Sequence, residues 1–333
     1  MDSLDTNNEK QVFEVILPVA PKDVDNLDLC VQKIIENICP QKIVIITNKQ
    51  FKDRIPLLDK VEFLDEDRLM EHLTLDNLKR LMVDIKGTET RSNWYFQQFL
   101  KMAYVFKCSY DYYLIWDSDT IPLKNIRFWK NIDGLEKCLF DEHPSIHQPY
   151  FDTLEKLFNG KVKKLSKKSF ITEHMMINQK IMRKLISEIE KNNQIQGKLF
   201  FEKILYAINK NDIEYAGFSE FETYGNFVLN YYPDKYAIRK LKDYRQGGMV
   251  IEKSQINNEV LNWIAKDYDI VSFEEQHGYN RIFTFLREKG VSCVQKRKMS
   301  FKTYQSVFSA LEKVAILRHS LSRKLKIATN IVR

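Results

Sequence analysis

The stretch YYLIWDSDT, residues 112–120, joins a run of apolar and aromatic residues to two aspartates. The run is typical of a strand that is buried on both faces, and Pro122 ends it soon afterwards. Asp117 and Asp119 therefore follow the C-terminal end of a strand, where open α/β sheets bind their ligands. Because Mg²⁺ and Mn²⁺ prefer oxygen ligands shared between carboxylates and phosphates, we expect a metal held against a diphosphate here. A cap or turn is the alternative role.

The spacing of these two aspartates carries little information by itself. Three further pairs share it: Asp23/Asp25, Asp65/Asp67 and Asp267/Asp269. The first pair lies in a polar loop, and the last precedes a strand-like segment instead of following it. The middle pair closes a short strand, but with Glu66 it forms an acidic cluster that we expect to be solvated. Only Asp117 and Asp119 follow a long buried run, so the context of the motif favours a site there.

Short strands alternate with helical segments over the first 120 residues. Strands are predicted at 12–19, 42–47, 61–64 and 112–116, and helices at 27–38, 68–85 and 94–106. This alternation predicts an α/β fold, a doubly wound, mostly parallel sheet with helices on both faces. Beyond Pro122 the pattern is weaker, with strands predicted at 168–172 and 213–218 and helices at 179–191 and 199–209.

The predicted organisation has three parts. Residues 1–10 form a polar tail, and residues 11–295 form one domain with a nucleotide-binding half (11–125) and an acceptor half (126–295). Residues 296–333 form a basic amphipathic helical tail. The N-terminus has no hydrophobic signal region, and no apolar run reaches the length of a membrane span. Five scattered cysteines without a C-x-x-C pair suggest neither zinc nor disulfides, so a cytoplasmic location is expected.

The positive charge is concentrated in the tail. From residue 296 onwards there are ten Lys and Arg and one acid, a net charge of +9 against +7 for the whole chain. This placement argues against a basic groove for nucleic acid. An apolar stripe runs along the tail through Val307, Leu311, Val314, Leu321, Leu325, Ala328 and Val332. The tail is thus either an interfacial helix on the inner face of the cytoplasmic membrane or a helix packed on the body or a second subunit.

Six segments in this order resemble the GT-A-fold, Rossmann-like glycosyltransferases that use nucleoside-diphosphate sugars. More narrowly, they resemble a family of bacterial glycosyltransferases of capsule and lipopolysaccharide biosynthesis, known mainly from sequence. The segments are RSNWYFQQFLKM (91–102), YYLIWDSDTIPL (112–123), HQPYFDTLEKLF (147–158), SFITEHMMINQKIM (169–182), GFSEFETYGNF (217–227) and EEQHGYN (274–280). The similarity spans residues 12–285 and excludes the tail.

The resemblance implies a metal-dependent enzyme that moves a sugar to a polysaccharide or lipid-linked acceptor, with Mn²⁺ or Mg²⁺ as cofactor. It implies that the base and ribose contact Pro18, Val19 and Ala20, and that the metal and diphosphate contact Asp117, Ser118 and Asp119. His277 is the implied further metal ligand, although a lone histidine is more often structural. The rival functions are a nucleotidyltransferase that makes a nucleotide-sugar and a non-catalytic carbohydrate-binding or scaffold protein.

Charge develops on the leaving diphosphate during such a transfer. Arg91 and, less strongly, Lys101 are candidates to stabilise that charge. The alternatives are a surface cation for Arg91 and a helix residue with its amine in water for Lys101. Gln97 and Gln98 are candidates to bond the base or the sugar.

The acceptor hydroxyl must lose its proton to a base. Glu173 and His174 follow the predicted strand 168–172, so they are candidates, with helix capping after Thr172 as the alternative. Glu220 and Glu222 are two residues apart and would share one face if the segment is extended. They would then serve as base or as sugar ligands, with a solvent-facing edge as the alternative.

Overall fold

A computed structural model describes residues 11–274, 299–311 and 313. The chain divides into two compact units. Unit 1 consists of the chain up to Ser118 together with Ile126–Lys240, and unit 2 consists of Asp119–Asn125 together with the chain from Leu241. His277, which was predicted as a metal ligand, lies outside the described residues, as does most of the predicted tail helix.

The described part of the chain contains eleven strands. They are β1 (Phe13–Pro18), β2 (Lys42–Thr47), β3 (Val61–Asp65), β4 (Tyr112–Trp116), β5 (Thr120–Pro122), β6 (Trp129–Ile132), β7 (Leu135–Asp141), β8 (His174–Asn178), β9 (Tyr236–Arg239), β10 (Asp243–Tyr244) and β11 (Ile270–Ser272). The four strands predicted over residues 12–116 are confirmed to within one residue at either end. The apolar runs of β1, β2 and β4 are buried almost continuously, because a sheet covered on both faces leaves no polar side to alternate with. In β3, which lies at the end of the strand order, only Asp65 is buried.

Helices connect these strands. They are α1 (Leu27–Asn37), α2 (Leu75–Lys86), α3 (Ser92–Ala103), α4 (Gln148–Leu157), α5 (Gln179–Glu190), α6 (Phe200–Ala207), α7 (Glu220–Tyr231), α8 (Gly247–Val250) and α9 (Asn258–Ile264), and residues 301–311 are also helical. The helix predicted from residue 68 begins only at Leu75, because the Thr74 hydroxyl caps it by accepting from the Asn77 N–H. It ends at Gly87, which adopts the left-handed conformation that glycine tolerates best.

Unit 1 contains a five-stranded mixed sheet in the order β3-β2-β1-β4-β8. The first four strands are parallel, and β8 runs antiparallel to β4. The predicted α/β class with helices on both sides is therefore confirmed, whereas the closer GT-A assignment stays a prediction. The strand order reverses at β1, whose neighbours are β2 and β4, and a reversal of this kind opens a crevice at the carboxyl ends of the two strands.

A second sheet in unit 1 has the order β6-β7-β9. Strand β9 is parallel to β7, and their register pairs Asp141 with Arg239 at the ends of the two strands. Phe140 stacks on Tyr236 within this sheet, with ring centroids 4.3 Å apart. This small sheet therefore brings an acid and an arginine together that lie far apart in the sequence.

Two predicted strands and one predicted extended segment were wrong. Residues 168–172 contain only an isolated bridge between Ser169 and His143, and residues 213–218 contain no strand. The strand in this region is β8, which starts at His174, so the alternative of a helix capped by Thr172 is wrong as well. The segment 218–225 enters α7 instead of an extended strand, because the Ser219 hydroxyl caps that helix by accepting from the Glu222 N–H.

Unit 2 has a three-stranded sheet in the order β10-β11-β5, in which β5 is antiparallel to β11. Thr120 and Ser272 face each other on these two strands, and their hydroxyl oxygens are 2.7 Å apart. Helices α8 and α9 and the helix at 301–311 belong to the same unit. Across the residues that the structure describes, no helix combines the length and the apolar character needed to cross a lipid bilayer.

Candidate functional site

The carboxyl end of β4 lies at the strand-order reversal of the five-stranded sheet. The register places Ile16 of β1 beside Ile115 of β4, so the two strands end together. Val19 continues from β1, and its N–H donates to the Ile46 carbonyl. Asp117 follows β4, and its N–H donates to the Glu173 carbonyl at 2.9 Å. The aspartate predicted to bind a ligand therefore lies at the edge of the sheet where ligands commonly bind.

Asp117 is one member of an ion cluster that we call the Lys101 triad, consisting of Lys101, Asp117 and Glu220. Lys101 Nζ lies 2.7 Å from Asp117 Oδ1 and 2.9 Å from Glu220 Oε1. Lys101 and Glu220 are buried, whereas the side chain of Asp117 is 32% exposed. The alternative of an amine in water is wrong for Lys101, because the side chain is buried between two carboxylates.

Helix α3 positions the triad against the first turn of α7. Gln98 and Lys101 are three residues apart and so lie on one face of α3. Lys101 bonds the Glu220 carboxylate, and Gln98 Oε1 accepts from the Glu220 backbone N–H at 3.1 Å. The Tyr113 hydroxyl donates to the Lys101 carbonyl, which ties α3 to β4. The triad is therefore fixed by three separate elements.

The buried positive charge of Lys101 is compensated by the carboxylates of Asp117 and Glu220. Desolvation by burial works to lower the pKa of Lys101, but the charges of Asp117 and Glu220 outweigh it and raise that pKa above its ordinary value. The ammonium is thus retained at neutral pH, and two carboxylates around one cation leave a net charge of −1. Phe221 covers the ammonium from one side, with its ring centroid 4.7 Å from Lys101 Nζ.

One polar atom beside the triad is buried without a partner. Gln98 Nε2 has no hydrogen-bond partner among the described residues, although the other amide atom of this side chain is engaged. An amide donor in such a position normally costs about 1–3 kcal/mol and therefore calls for an explanation. A bound ligand that accepts a hydrogen bond from Gln98 Nε2 would explain why this donor has no partner among the described residues.

The other two residues of the predicted acidic motif fall on either side of the boundary between units. Ser118 is the last residue of this segment in unit 1, and Asp119 is the first in unit 2. In unit 2 the Asp119 carbonyl accepts from the Phe273 N–H, and Asp119 Oδ1 accepts from the Thr120 hydroxyl. Over the described residues, no group of three or more His, Cys, Asp or Glu side chains is placed to hold a metal ion.

Glu173 and His174 stand at the start of β8, not after a strand as predicted. Glu173 is buried and has a backbone φ of 59°, which is uncommon for a residue with a side chain. Its carbonyl accepts from Asp117, so its backbone helps to fix the sheet edge. Strained backbone of this kind is found disproportionately at functional sites.

His174 belongs to a second ion cluster, the His174 cluster, with Asp141 and Arg239. His174 Nε2 lies 2.9 Å from Asp141 Oδ2, and Arg239 donates to both oxygens of Asp141 through Nε and Nη2. The His174 ring stacks on Trp116, with centroids 5.0 Å apart. Burial acts to raise the pKa of Asp141, but its bonds to His174 and Arg239 hold that pKa below the usual value.

The second nitrogen of His174 is not engaged within the described part of the chain. His174 Nδ1 is buried and has no hydrogen-bond partner there. Asp141 fixes the other nitrogen, which is the arrangement by which proteins orient a histidine that acts as a base or a ligand. The sequence analysis did not identify Asp141 or Arg239. Asp141 follows a short apolar run, as Asp117 does, and this pattern could have marked it as an acid at the end of a strand.

Glu222 does not share a face with Glu220, because the segment is helical. Glu222 Oε1 accepts from the Phe170 N–H and Oε2 accepts from Asn226 Nδ2, both at 3.2 Å. Desolvation by burial raises the pKa of Glu222 above its ordinary value. Gly225 belongs to the same turn, where a Cβ would lie 2.5 Å from the Phe170 ring. These contacts hold the loop before β8 against α7.

The remaining residues that were predicted to contact the nucleotide-sugar also belong to unit 1. Pro18 and Val19 are buried, whereas Ala20 and Gln97 are half-buried. Arg91 is exposed, adopts a φ of 64° and stacks over Trp94 at 4.5 Å from the ring centroid. Of these residues, Ala20, Arg91 and Gln97 retain surface through which a ligand could be contacted.

The fold and the site define an α/β protein with compensated ionic clusters at the edge of its central sheet. The chain belongs to a family of unknown function, DUF6492, whose model matches residues 1–282. A search of curated proteins returns no match.

Proposed function

We propose that this protein is a metal-dependent glycosyltransferase that moves a sugar from a nucleoside-diphosphate sugar to a saccharide acceptor. The observation that carries the proposal is the placement of Asp117. It follows β4, which pairs with β1 at the strand-order reversal, it is fixed by a buried lysine, and its side chain is 32% exposed. A rigid, partly exposed carboxylate is suited to meet a cation and the phosphates bound to it.

The donor atoms around Asp117 fit a shared cation. The Lys101 triad keeps a net charge of −1, so it attracts a divalent ion despite its lysine. Mg²⁺ and Mn²⁺ are commonly held by one or two carboxylates, with the substrate phosphates completing the shell. Asp117 is the residue of unit 1 that we propose to hold the ion. When bound, such an ion supplies Lewis-acid stabilisation of the leaving diphosphate.

The chain's own residues have distinct proposed roles. Lys101 and Glu220 orient Asp117, so Glu220 serves as a positioning residue instead of a base. Glu222 holds the loop before β8. Gln98 Nε2, which has no partner among the described residues, donates to the donor substrate, and Ala20, Arg91 and Gln97 contribute through their exposed surface. The proton acceptor for the acceptor hydroxyl is then Glu173 or His174, of which His174 is already oriented by Asp141.

The acceptor and the location are also proposals. A polysaccharide or lipid-linked saccharide of capsule or lipopolysaccharide assembly follows from the resemblance of the six sequence segments. Use of nucleotide-sugar donors made in the cytoplasm fits a cytoplasmic protein. Nucleic acid is not expected as a partner, because the basic excess lies in the tail and not in the body.

The test compares Asp117→Asn with Asp111→Asn, an exposed aspartate just before the other end of β4. Thermal shifts are measured for a panel of nucleotide-sugars with and without Mn²⁺, since a ligand that binds the native state raises its stability. Transfer is then followed by release of nucleoside diphosphate. We expect Asp117→Asn to abolish the Mn²⁺-dependent shift and to lower transfer about 100-fold or more, and Asp111→Asn to change neither.

Other outcomes identify the rival functions. Release of pyrophosphate from a nucleoside triphosphate would identify a nucleotidyltransferase. Binding of saccharide that needs neither metal nor Asp117 would identify a carbohydrate-binding protein. Unchanged transfer in Asp117→Asn, with a Mn²⁺ dependence like that of the parent, would overturn the proposal at its central residue.

A further inference from the structure

Residues 301–311 form a helix with one face packed inside unit 2. Ser300 caps its start, because the Ser300 hydroxyl accepts from the Thr303 N–H at 3.2 Å. Phe301, Tyr304 and Phe308 are the buried residues of the helix, at positions three and four apart. This spacing places them on a single face.

The buried face is held by aromatic packing. Phe301 packs edge-on against Trp263, with ring centroids 5.1 Å apart, and against Tyr244 at 5.3 Å. The Tyr304 hydroxyl donates to the Val250 carbonyl. The helix is therefore seated in the core of unit 2, and its orientation about its own axis is fixed.

Polar contacts at the start of the helix strengthen this fixation. Trp263 Nε1 donates to the Met299 carbonyl at 2.7 Å, and the Tyr268 hydroxyl donates to Gln305 Oε1 at 2.6 Å. The Lys302 N–H donates to Asp267 Oδ2. The face that points away from the core is thus determined by contacts at several positions.

Two aliphatic residues lie on that outer side. Val307 is 49% exposed and Leu311 is 42% exposed, and Val307 is one residue before the buried Phe308, a rotation of about 100° around the helix. They are the first two members of the apolar stripe predicted for the tail. Val307 and Leu311 therefore do not belong to the face that packs in unit 2, which the aromatic residues form.

We propose that Val307 and Leu311 insert into the interfacial region of an anionic lipid bilayer. Lys302 and Lys313 are exposed on the same helical segment, and the chain from residue 296 carries +9. An apolar stripe beside basic residues is the pattern of helices that lie on anionic membranes. The remaining chain carries only −2 over 295 residues, so a second copy has little net negative charge to attract this segment.

This inference does not depend on the chemistry proposed at Asp117. It rests on unit 2, and its test needs no nucleotide or sugar. Deleting the whole tail would be a poor test, because Phe301, Tyr304 and Phe308 belong to the core of unit 2. Substitution of the two exposed residues leaves that core intact.

The test uses the full chain with Val307→Asp and Leu311→Asp combined. The matched control combines Val83→Asp and Leu58→Asp, which are 48% and 38% exposed elsewhere on the chain. Binding is measured by co-sedimentation with vesicles of equal parts phosphatidylglycerol and phosphatidylcholine, and with phosphatidylcholine alone. We expect the parent and the control to bind the anionic vesicles, and the tail variant to bind them about tenfold more weakly.

Three results would overturn the inference. They are equal binding by the parent and the tail variant, equal binding by the parent to both vesicle types, and no vesicle binding by the parent. Sedimentation velocity tests whether a second copy of the chain binds this face instead. A parent dimer that dissociates in the tail variant would assign the face to a second copy and also overturn the inference. Circular dichroism and the thermal midpoint, unchanged in the variant, show that lost binding is not lost folding.

Discussion

Two groups of acids lie at the ends of strands β4 and β3 of the same mixed sheet, and their charges are compensated to different degrees. The Lys101 triad follows β4, and the acidic cluster of Asp65, Glu66 and Asp67 follows β3. In the triad a buried lysine lies within 3 Å of both carboxylates. In the acidic cluster, Arg68 Nε lies 3.7 Å from Asp65 Oδ2, and the Arg68 side chain is 83% exposed.

The lack of a buried counter-ion for the acidic cluster among the described residues affects the pKa of Glu66. Burial, then the charge of Asp67 and, less strongly, that of Asp65, raise the pKa of Glu66 to about 7, although a bond from Asn48 opposes the rise. Asp65 is buried and Glu66 is half-buried, so the prediction of a solvated cluster was wrong for Asp65. The comparison teaches that the position of an acid at a strand end does not decide its charge state. A buried counter-ion does, and the triad has one.

The strongest way to break the contrast is Lys101→Met. Asp117 and Glu220 would then lie together without a cation, so we expect the free energy of unfolding to fall by about 3–5 kcal/mol. Chemical denaturation measures this change. Lys184→Met is the matched control, because it breaks an exposed pair with Glu188 on α5 and should leave the free energy of unfolding nearly unchanged. A loss below about 1 kcal/mol for Lys101→Met would show that the triad is not a compensated buried cluster.

A second experiment sharpens the contrast through pH. The folded protein keeps a proton on Glu66 up to about pH 7, whereas an unfolded glutamate releases it near 4.5. The folded state therefore binds more protons between these values, and its stability falls as the pH rises through this window. Because Glu66 is only half-buried, solvent screening leaves a contribution on the order of 1 kcal/mol.

Glu66→Gln should remove this part of the pH dependence and make the protein more stable than the parent above pH 7. Denaturant unfolding of both proteins at several pH values between 4.5 and 8 measures it. Parallel curves for the two proteins across that range would mean that Glu66 titrates normally.

The smallest effect is expected from Asp67→Asn. Removing the charge of Asp67 lowers the pKa of Glu66 towards its ordinary value, because Asp67 is the nearest like charge that raises it. The change in stability should stay within about 0.5 kcal/mol, so the measurement is an NMR titration of the Glu66 carboxyl. Asp84→Asn, on the exposed side of α2, is the control that should leave the titration unchanged.

The predictable part of the fold was the parallel strands. Their apolar runs are long, bounded by prolines or polar residues, and need no information from elsewhere in the chain. The region around β8 was not predictable in the same way. Its five residues could be read as helix or strand, since a short buried run has no diagnostic period, and only pairing with Tyr112–Trp116 decides for a strand.

The sequence by itself determined that Asp117 follows a buried strand, because local apolar runs and breakers fix where a strand ends. It did not determine the partners of that aspartate. Lys101 and Glu220 are 119 residues apart, and Asp141 and Arg239 are 98 apart, so no local pattern links them. Tertiary packing brings each pair together and removes it from water. The Coulombic attraction then becomes strong enough to set charge states that the sequence alone leaves open.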